Sequence, residues 1–296
     1  MSVDAEKRRA QTVDELHQKM MAMFLSAEGE PAPFEPQPTD VIISPFAKCG
    51  TTWLQQIFHQ LRTGGDEDYD DISRVVPWIE TAPMLGLDLS LDQKAEPRGF
   101  KSHLGYTDIP KGARYIVSLR DPRDALVSMY KFMEGWFTEP GAISPEAFAI
   151  GNFMHGERRG YWKHLVSWWE QRDNPDVLLL CYEHMLAEPE TAIRRVADFC
   201  GIVLTEDLLA LVKERSSIAY MLEHKDKFDD LMMRELSERA ANLPPGSDSA
   251  KVREGKRGGY GGMLPDHLLE ELAEIWRTDV TPSTGLDSYD DVLRCA

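Results

Sequence analysis

The stretch from Val41 to Leu61 constrains the fold of this 296-residue chain more than any other. Val41-Ile42-Ile43 is a short apolar, β-branched run, as expected of a strand buried on both faces. The loop Ser44-Pro45-Phe46-Ala47-Lys48-Cys49-Gly50 follows, and a helix is predicted from about Thr51 to Leu61, stopped before Gly64-Gly65. A buried strand, a tight loop and a helix in this order form the place where α/β proteins bind anions. The first N–H groups of such a helix are unpaired and carry the positive end of its dipole. Lys48 adds a charge, Gly50 permits close backbone approach, and Thr51 and Thr52 add hydroxyl donors.

Spacing disfavours two common anion loops. A Walker A loop places Lys directly after its last Gly and directly before Ser or Thr. Here Lys48 precedes Gly50, which argues against a magnesium-dependent NTPase. A cysteine-based phosphatase is disfavoured because Cys49 has no Arg in the following turn.

The strand–helix alternation continues along the chain. Tyr115 to Leu119 reads as a second buried strand, and Asp121, Pro122 and Asp124 suit the start of the next helix. Val177 to Cys181 reads as a third strand. The helix predicted from Pro189 to Cys200 carries Ile193, Val196, Ala197 and Cys200 on one face, with Gly201 beyond it. Pro265 to Trp276 has the same periodicity. The pattern predicts an α/β fold: a single domain over 41–296 with a central parallel β-sheet flanked by helices, P-loop nucleotide-binding-like. Ahead of it, residues 1–30 read as an amphipathic helix with Leu16, Met20, Met23 and Phe24 at helical spacing. Residues 31–39 hold four prolines and read as an extended linker, so 1–40 is expected to form an N-terminal helix and Pro-rich linker. The acidic run at 66–71 reads as a solvated loop.

Charge narrows the partners. Fifty acidic against 33 basic residues give a net charge of −17. A surface so acidic repels nucleic acid and anionic membranes. The four cysteines form no disulfide scaffold, no Cys/His cluster has zinc spacing, and no HExxH occurs. No metal is expected. The N-terminus is charged and lacks the apolar core of a signal peptide, and no apolar stretch could span a bilayer. The expectation is a cytoplasmic protein without stable membrane insertion.

Lys48-Cys49-Gly50-Thr51-Thr52-Trp53 resembles the 5′-phosphosulfate loop of the cytosolic-type sulfotransferases, Pro-Lys-Ser-Gly-Thr-Thr-Trp. Those enzymes use 3′-phosphoadenosine 5′-phosphosulfate (PAPS) as donor and release adenosine 3′,5′-bisphosphate. Further segments agree in the same order along the chain. Lys101-Ser102-His103 resembles the family's Lys-Thr-His, which implies His103 as general base and Lys101 as a stabiliser of charge on the transferring group. Tyr115 to Tyr130 resembles the 3′-phosphate motif and implies that Arg120 and Ser128 hold that phosphate. Tyr182 matches a tyrosine near the adenine, and Trp53 is then expected to stack on the other side of the base. Ser216, Ile218 and Met221 resemble a Ser-Phe-x-x-Met stretch lining the nucleotide, with Ile218 in place of the aromatic. Arg253-Glu254-Gly255 resembles the family's Arg-Lys-Gly, with Glu254 in place of Lys. The resemblance runs from about Val41 to Gly262.

Together these imply a sulfotransferase acting on a hydroxyl of a small, apolar acceptor. Lys48 would support the bridging oxygen, and Trp78, Phe132, Trp136 and Phe137 are candidates for the acceptor wall. Other readings stay open: a P-loop small-molecule kinase using ATP, or a catalytically inactive nucleotide-binding protein. The family's dimerisation segment is not recognisable in residues 263–296, so the oligomeric state is open. Lys48, Lys101, Arg120, Arg123, Arg253, Lys256 and Arg257 all fall in donor-site segments. The expectation is therefore a small positive well within a negative protein.

Overall fold

The computed structural model describes residues 7–26, 34–154, 159–247, 251–253, 255 and 257–295. Four strands, β1 (Val41–Ile43), β2 (Gly99–Lys101), β3 (Arg114–Leu119) and β4 (Val177–Cys181), form one sheet in the order β2-β1-β3-β4. Every pairing is parallel, with Ile42 opposite both Phe100 and Tyr115, and Ser118 opposite Leu180. Successive residues point to opposite faces. Ile42, Tyr115, Val117 and Leu179 enter one apolar layer. Val41, Ile43, Ile116, Leu178 and Leu180 enter the other. Helices cover both layers, which is why these strands read as unbroken apolar runs.

The helix after the anion loop, α2 (Thr51–Thr63), runs two residues beyond the predicted end. It ends at Gly64, which takes the left-handed conformation at φ 68°. Its Leu54, Ile57, Phe58 and Leu61 pack against the second layer, together with the helix Pro189–Cys200. The helices Pro122–Met133 and Gly160–Trp169 cover the first layer. The helix predicted over 265–276 is Asp266–Ile275. Among the described residues no helix is long and apolar enough to cross a membrane.

Three expectations need correction. The N-terminal helix, α1 (Val13–Phe24), is much shorter than the predicted 1–30 and starts at Thr12, whose side chain accepts the Glu15 N–H at 3.2 Å. Residues 1–6 and 27–33 lie outside the described residues. Second, α1 does not stand off from the body. Leu16 and Met23 are buried, the Ala10 N–H donates to the Phe137 carbonyl at 2.8 Å, and Lys19 Nζ donates to the Ala241 carbonyl at 2.8 Å. Burying its apolar face is what stabilises so short a helix. Third, the acidic run is not simply a solvated loop. Asp71 is wholly buried, and Glu67 pairs with Lys227 at 3.0 Å.

The strands order the chemistry. Their C-terminal ends form a row: His103 beyond β2, the 44–50 loop beyond β1, Arg120 beyond β3 and Tyr182 beyond β4. Open α/β sheets bind ligands at this edge, near the point where connections reverse direction.

Candidate active site

A cavity of about 640 Å³ opens at this edge. Its polar side begins with the anion loop. Gly50 sits at φ 100° as the cap of α2 and offers no side-chain hydrogen bond to the helix start. A Cβ there would lie 3.0 Å from the Tyr182 ring and 3.3 Å from Ser118 Oγ, so glycine is required. Lys48 is also left-handed, at φ 70°. Its Nζ lies 4.0 Å from the centre of the Phe132 ring, and its carbonyl accepts from Arg120 Nη1 at 2.7 Å. Burial, and then the charge of Lys251, push the Lys48 ammonium well below its ordinary pKa.

Cys49 departs from the predicted site. Its side chain is fully buried beneath the loop, its N–H donates to the Phe46 carbonyl at 3.0 Å, and its carbonyl accepts from Ser118 Oγ. Burial pushes the thiol up to about 12, so it stays protonated. Lys48, Gly50, Thr51, Thr52 and Trp53 do line the cavity.

Arg120 stands at the end of β3 with its guanidinium 4.3 Å above the Tyr182 ring. The neighbouring Asp121 pairs with Arg123 instead, at 2.9 Å from its Nε. Among the described residues Arg120 has no carboxylate at ion-pair distance, and its buried Nε has no hydrogen-bond acceptor. Thr51 Oγ1 and Trp53 Nε1 are likewise buried without a partner. These unsatisfied donors beside the open end of α2 fit an anionic, phosphate-bearing ligand. Ser128, Ser216, Ile218, Met221, Arg253 and Gly255 line the same side of the cavity. Gly255 backs onto Ile218, whose side chain would meet a Cβ there at 3.5 Å. The Gly258 N–H donates to Asp124 Oδ2 at 2.8 Å, tying this glycine-rich loop to the 122–133 helix. Glu254 lies outside the described residues.

The expected sandwich of a base between Trp53 and Tyr182 is not formed. Their rings meet edge to face, with centroids 5.9 Å apart and planes at 78°. They make a corner of the cavity rather than two parallel walls. The favourable edge-to-face contact closes the gap a sandwiched base needs.

His103 is held from three sides. Its N–H donates to Glu80 Oε1 at 2.7 Å, its ring meets Trp78 edge on at 5.0 Å, and Nδ1 lies 2.8 Å from the Pro45 carbonyl. A carbonyl only accepts, so Nδ1 carries the hydrogen and Nε2 keeps its lone pair. Burial, then the charge of Lys101, lower the ring's pKa to about 3, so it is neutral at working pH. Lys101 Nζ lies 4.0 Å over the Trp78 ring and 3.6 Å from Asp230 Oδ2. Burial lowers Lys101 to about 8.

The other side of the cavity is apolar. Trp78, Phe132, Trp136 and Phe137 all line it, as the sequence suggested. Trp136 and Phe137 serve the core as well: both are buried, and Trp136 Nε1 donates to Ser237 Oγ at 2.9 Å. Sequence reading missed Met20, Met23 and Phe24 of α1, and Met129, Met133 and Met233. The helical stripe on α1 was visible, but not what it would cover. Asp230 and Lys251 were also missed. No motif marks them, and they reach Lys101 only through folding. In all, seven Lys or Arg side chains and two Asp side chains line the cavity among the described residues. Of the seven basic residues expected to form a positive well, Lys48, Lys101, Arg120 and Arg253 line the cavity, Arg123 and Arg257 pair with Asp121 and Asp290, and Lys256 lies outside the described residues.

Fold and site together define a P-loop-like α/β protein built to place a basic, anion-binding edge beside an apolar pocket. The chain belongs to the sulfotransferase domain family, which it matches over residues 38–282. It is 33% identical to sulfotransferase 2A6 of Rattus norvegicus, over 67% of this chain and 72% of that protein. It is 30% identical to sulfotransferase 2A1 of Macaca fascicularis, over 80% and 81%. Luciferin sulfotransferase of Photinus pyralis is 26% identical, over 88% of this chain and 77% of the relative. Among solved structures, retinol dehydratase in complex with retinol and PAP shares the fold at a TM-score of 0.71 and 18% identity, covering 94% of this chain and 97% of that one.

Proposed function

We propose that this protein moves a sulfuryl group from PAPS to a hydroxyl of a small apolar acceptor, with His103 as general base. The observation that carries the reading is His103 itself. Its ring is pinned through Nδ1 to the Pro45 carbonyl and lines one cavity with Lys48, Lys101 and the start of α2. In this reading the donor supplies an activated S–O bond. The acceptor O–H gives its proton to His103 Nε2 as its oxygen bonds sulfur. The S–O bond to the 5′-phosphate breaks, and that electron pair leaves with the phosphate. Lys48 steadies the leaving oxygen, and Lys101 with Thr51 or Thr52 steadies the sulfuryl oxygens. Arg120, Ser128 and Arg253 hold the 3′-phosphate, and Tyr182, Trp53, Ser216, Ile218 and Met221 enclose the nucleoside. The corner made by Trp53 and Tyr182 suits a base laid against one ring rather than between two. No step needs a metal. The methionine and aromatic wall suits a neutral apolar acceptor. The four cysteines are free, which suits work in the reducing cytoplasm.

Calorimetric titration with adenosine 3′,5′-bisphosphate and with ATP plus Mg²⁺ tests the donor. The bisphosphate is expected to bind at least about tenfold tighter, a difference of about 1.4 kcal/mol. Preference for ATP would point to a kinase instead.

A further inference from the structure

Two lysines share one buried carboxylate on the wall of the cavity. Asp230 sits at φ 49° ahead of the helix Leu231–Ala240 and accepts from Ser73 Oγ at 2.8 Å. Its Oδ2 lies 3.6 Å from Lys101 Nζ and is also paired with Lys251 Nζ. All three side chains are nearly closed to solvent, with 3% exposure for Lys101 and Asp230 and 8% for Lys251. Asp71 is buried close by, and burial and then the charge of Asp230 raise its pKa. Lys48 faces the same space, and Lys251 is the leading like charge acting on it. Lys251 also acts on His103. Two buried ammonium groups, those of Lys101 and Lys251, therefore share the one carboxylate of Asp230 at ion-pair distance. An uncompensated buried cation is costly unless an anion arrives to meet it. The charge pattern of the loop agrees. Where the resembling family has Arg-Lys-Gly, this chain has Arg253-Glu254-Gly255, and a lysine stands three positions earlier, at Lys251.

We propose that Lys251 is a third lysine of the transfer centre, oriented by Asp230 so that its ammonium bonds an oxygen of the transferring sulfuryl group. The assignment rests on the reading of the protein as a PAPS-dependent sulfotransferase. Lys251 takes no proton in the reaction. As one S–O bond forms and the other breaks, its N–H groups meet charge spreading onto the sulfuryl oxygens. Asp230 is a positioning residue: it keeps Lys101 and Lys251 side by side and touches no reacting atom.

Two measurements on Lys251→Met in the full chain separate this role from a structural one. The first is the single-turnover rate with PAPS. The second is the calorimetric Kd for adenosine 3′,5′-bisphosphate, which lacks the sulfuryl group. The rate is expected to fall about 10- to 100-fold, the usual cost of losing one charge-assisted contact to the transition state. The Kd is expected to stay within about twofold, and Lys251→Arg to recover part of the rate. A rate within about twofold of the parent overturns the assignment. A Kd that weakens in step with the rate also overturns it, because Lys251 would then only support the nucleotide loop. A parental chain that transfers nothing overturns the underlying reading, and this assignment with it.

Discussion

Replacing His103 by alanine is expected to lower kcat about 100- to 10,000-fold, the usual range for a general base. Binding of adenosine 3′,5′-bisphosphate should change far less. The ring's contacts are to Pro45 and Trp78, not to the helix start that cradles phosphate. The geometry makes the ring a base in one tautomer only, with Nδ1–H donated to Pro45 and Nε2 open. The pH profile gives a second check with a definite sign. Burial holds His103 down to about 3, so the neutral base survives far below the ordinary histidine value of 6.5. Burial also lowers Lys101 to about 8, so its charge is lost as pH rises through that point. A plot of kcat/KM against pH reports groups of the free enzyme. It should stay flat through pH 6.5 on the acid side and fall above about 8. H103A active at the parental rate removes His103 as the base, whereas an acid limb centred near 6.5 would contradict the burial that holds its ring down to about 3.

The second large effect is expected at Lys48. Lys48→Met removes the ammonium but keeps an unbranched side chain one atom shorter on the same left-handed backbone at φ 70°, so it tests chiefly the charge. Stabilisation of a leaving oxygen in a site of low dielectric is among the largest single contributions to such reactions. The rate should fall about 100- to 1,000-fold, by analogy with removal of one oxyanion donor. Methionine loses the cation–π contact that Lys48 Nζ makes 4.0 Å from the Phe132 ring centre but can lay its thioether against the same ring. The folded state should therefore lose little stability, and a thermal melt checks that control. A parental single-turnover rate in Lys48→Met would leave the leaving group without its proposed cation.

Much of this was legible in the sequence because it is local. The loop from Ser44 to Gly50, the start of α2 at Thr51 and its stop at Gly64 follow from short-range turn chemistry. The strand Val177–Cys181 and the helix Pro189–Cys200 fall where apolar periodicity puts them. β2 was not predicted. Gly99-Phe100-Lys101 is three residues long and shows no alternation, and a Cβ at Gly99 would collide with the Phe58 ring. Its pairing is set by β1 and by a partner on α2, not by its own sequence. The relation of Trp53 to Tyr182 was misread for a similar reason. The resemblance implies that the two rings flank a base, but packing sets their planes at 78°. Asp71, Lys101, Asp230 and Lys251 come from four distant segments, and only folding shows that they form one cluster. The reach of α1 into the apolar wall was hidden in the same way: its stripe of Leu16, Met20, Met23 and Phe24 was plain, its partner was not.

The central claim is that one cavity joins a PAPS-binding edge to an apolar acceptor pocket. It is tested most directly by incubating the purified full chain with PAPS labelled in the sulfuryl group, without added metal, against a panel of phenols, sterols, aliphatic alcohols and sugars. The account predicts label appearing on one or more apolar hydroxyl compounds, dependent on His103 and unaffected by a chelator. Tight donor binding with no label on any acceptor, or transfer that survives in H103A, would contradict it.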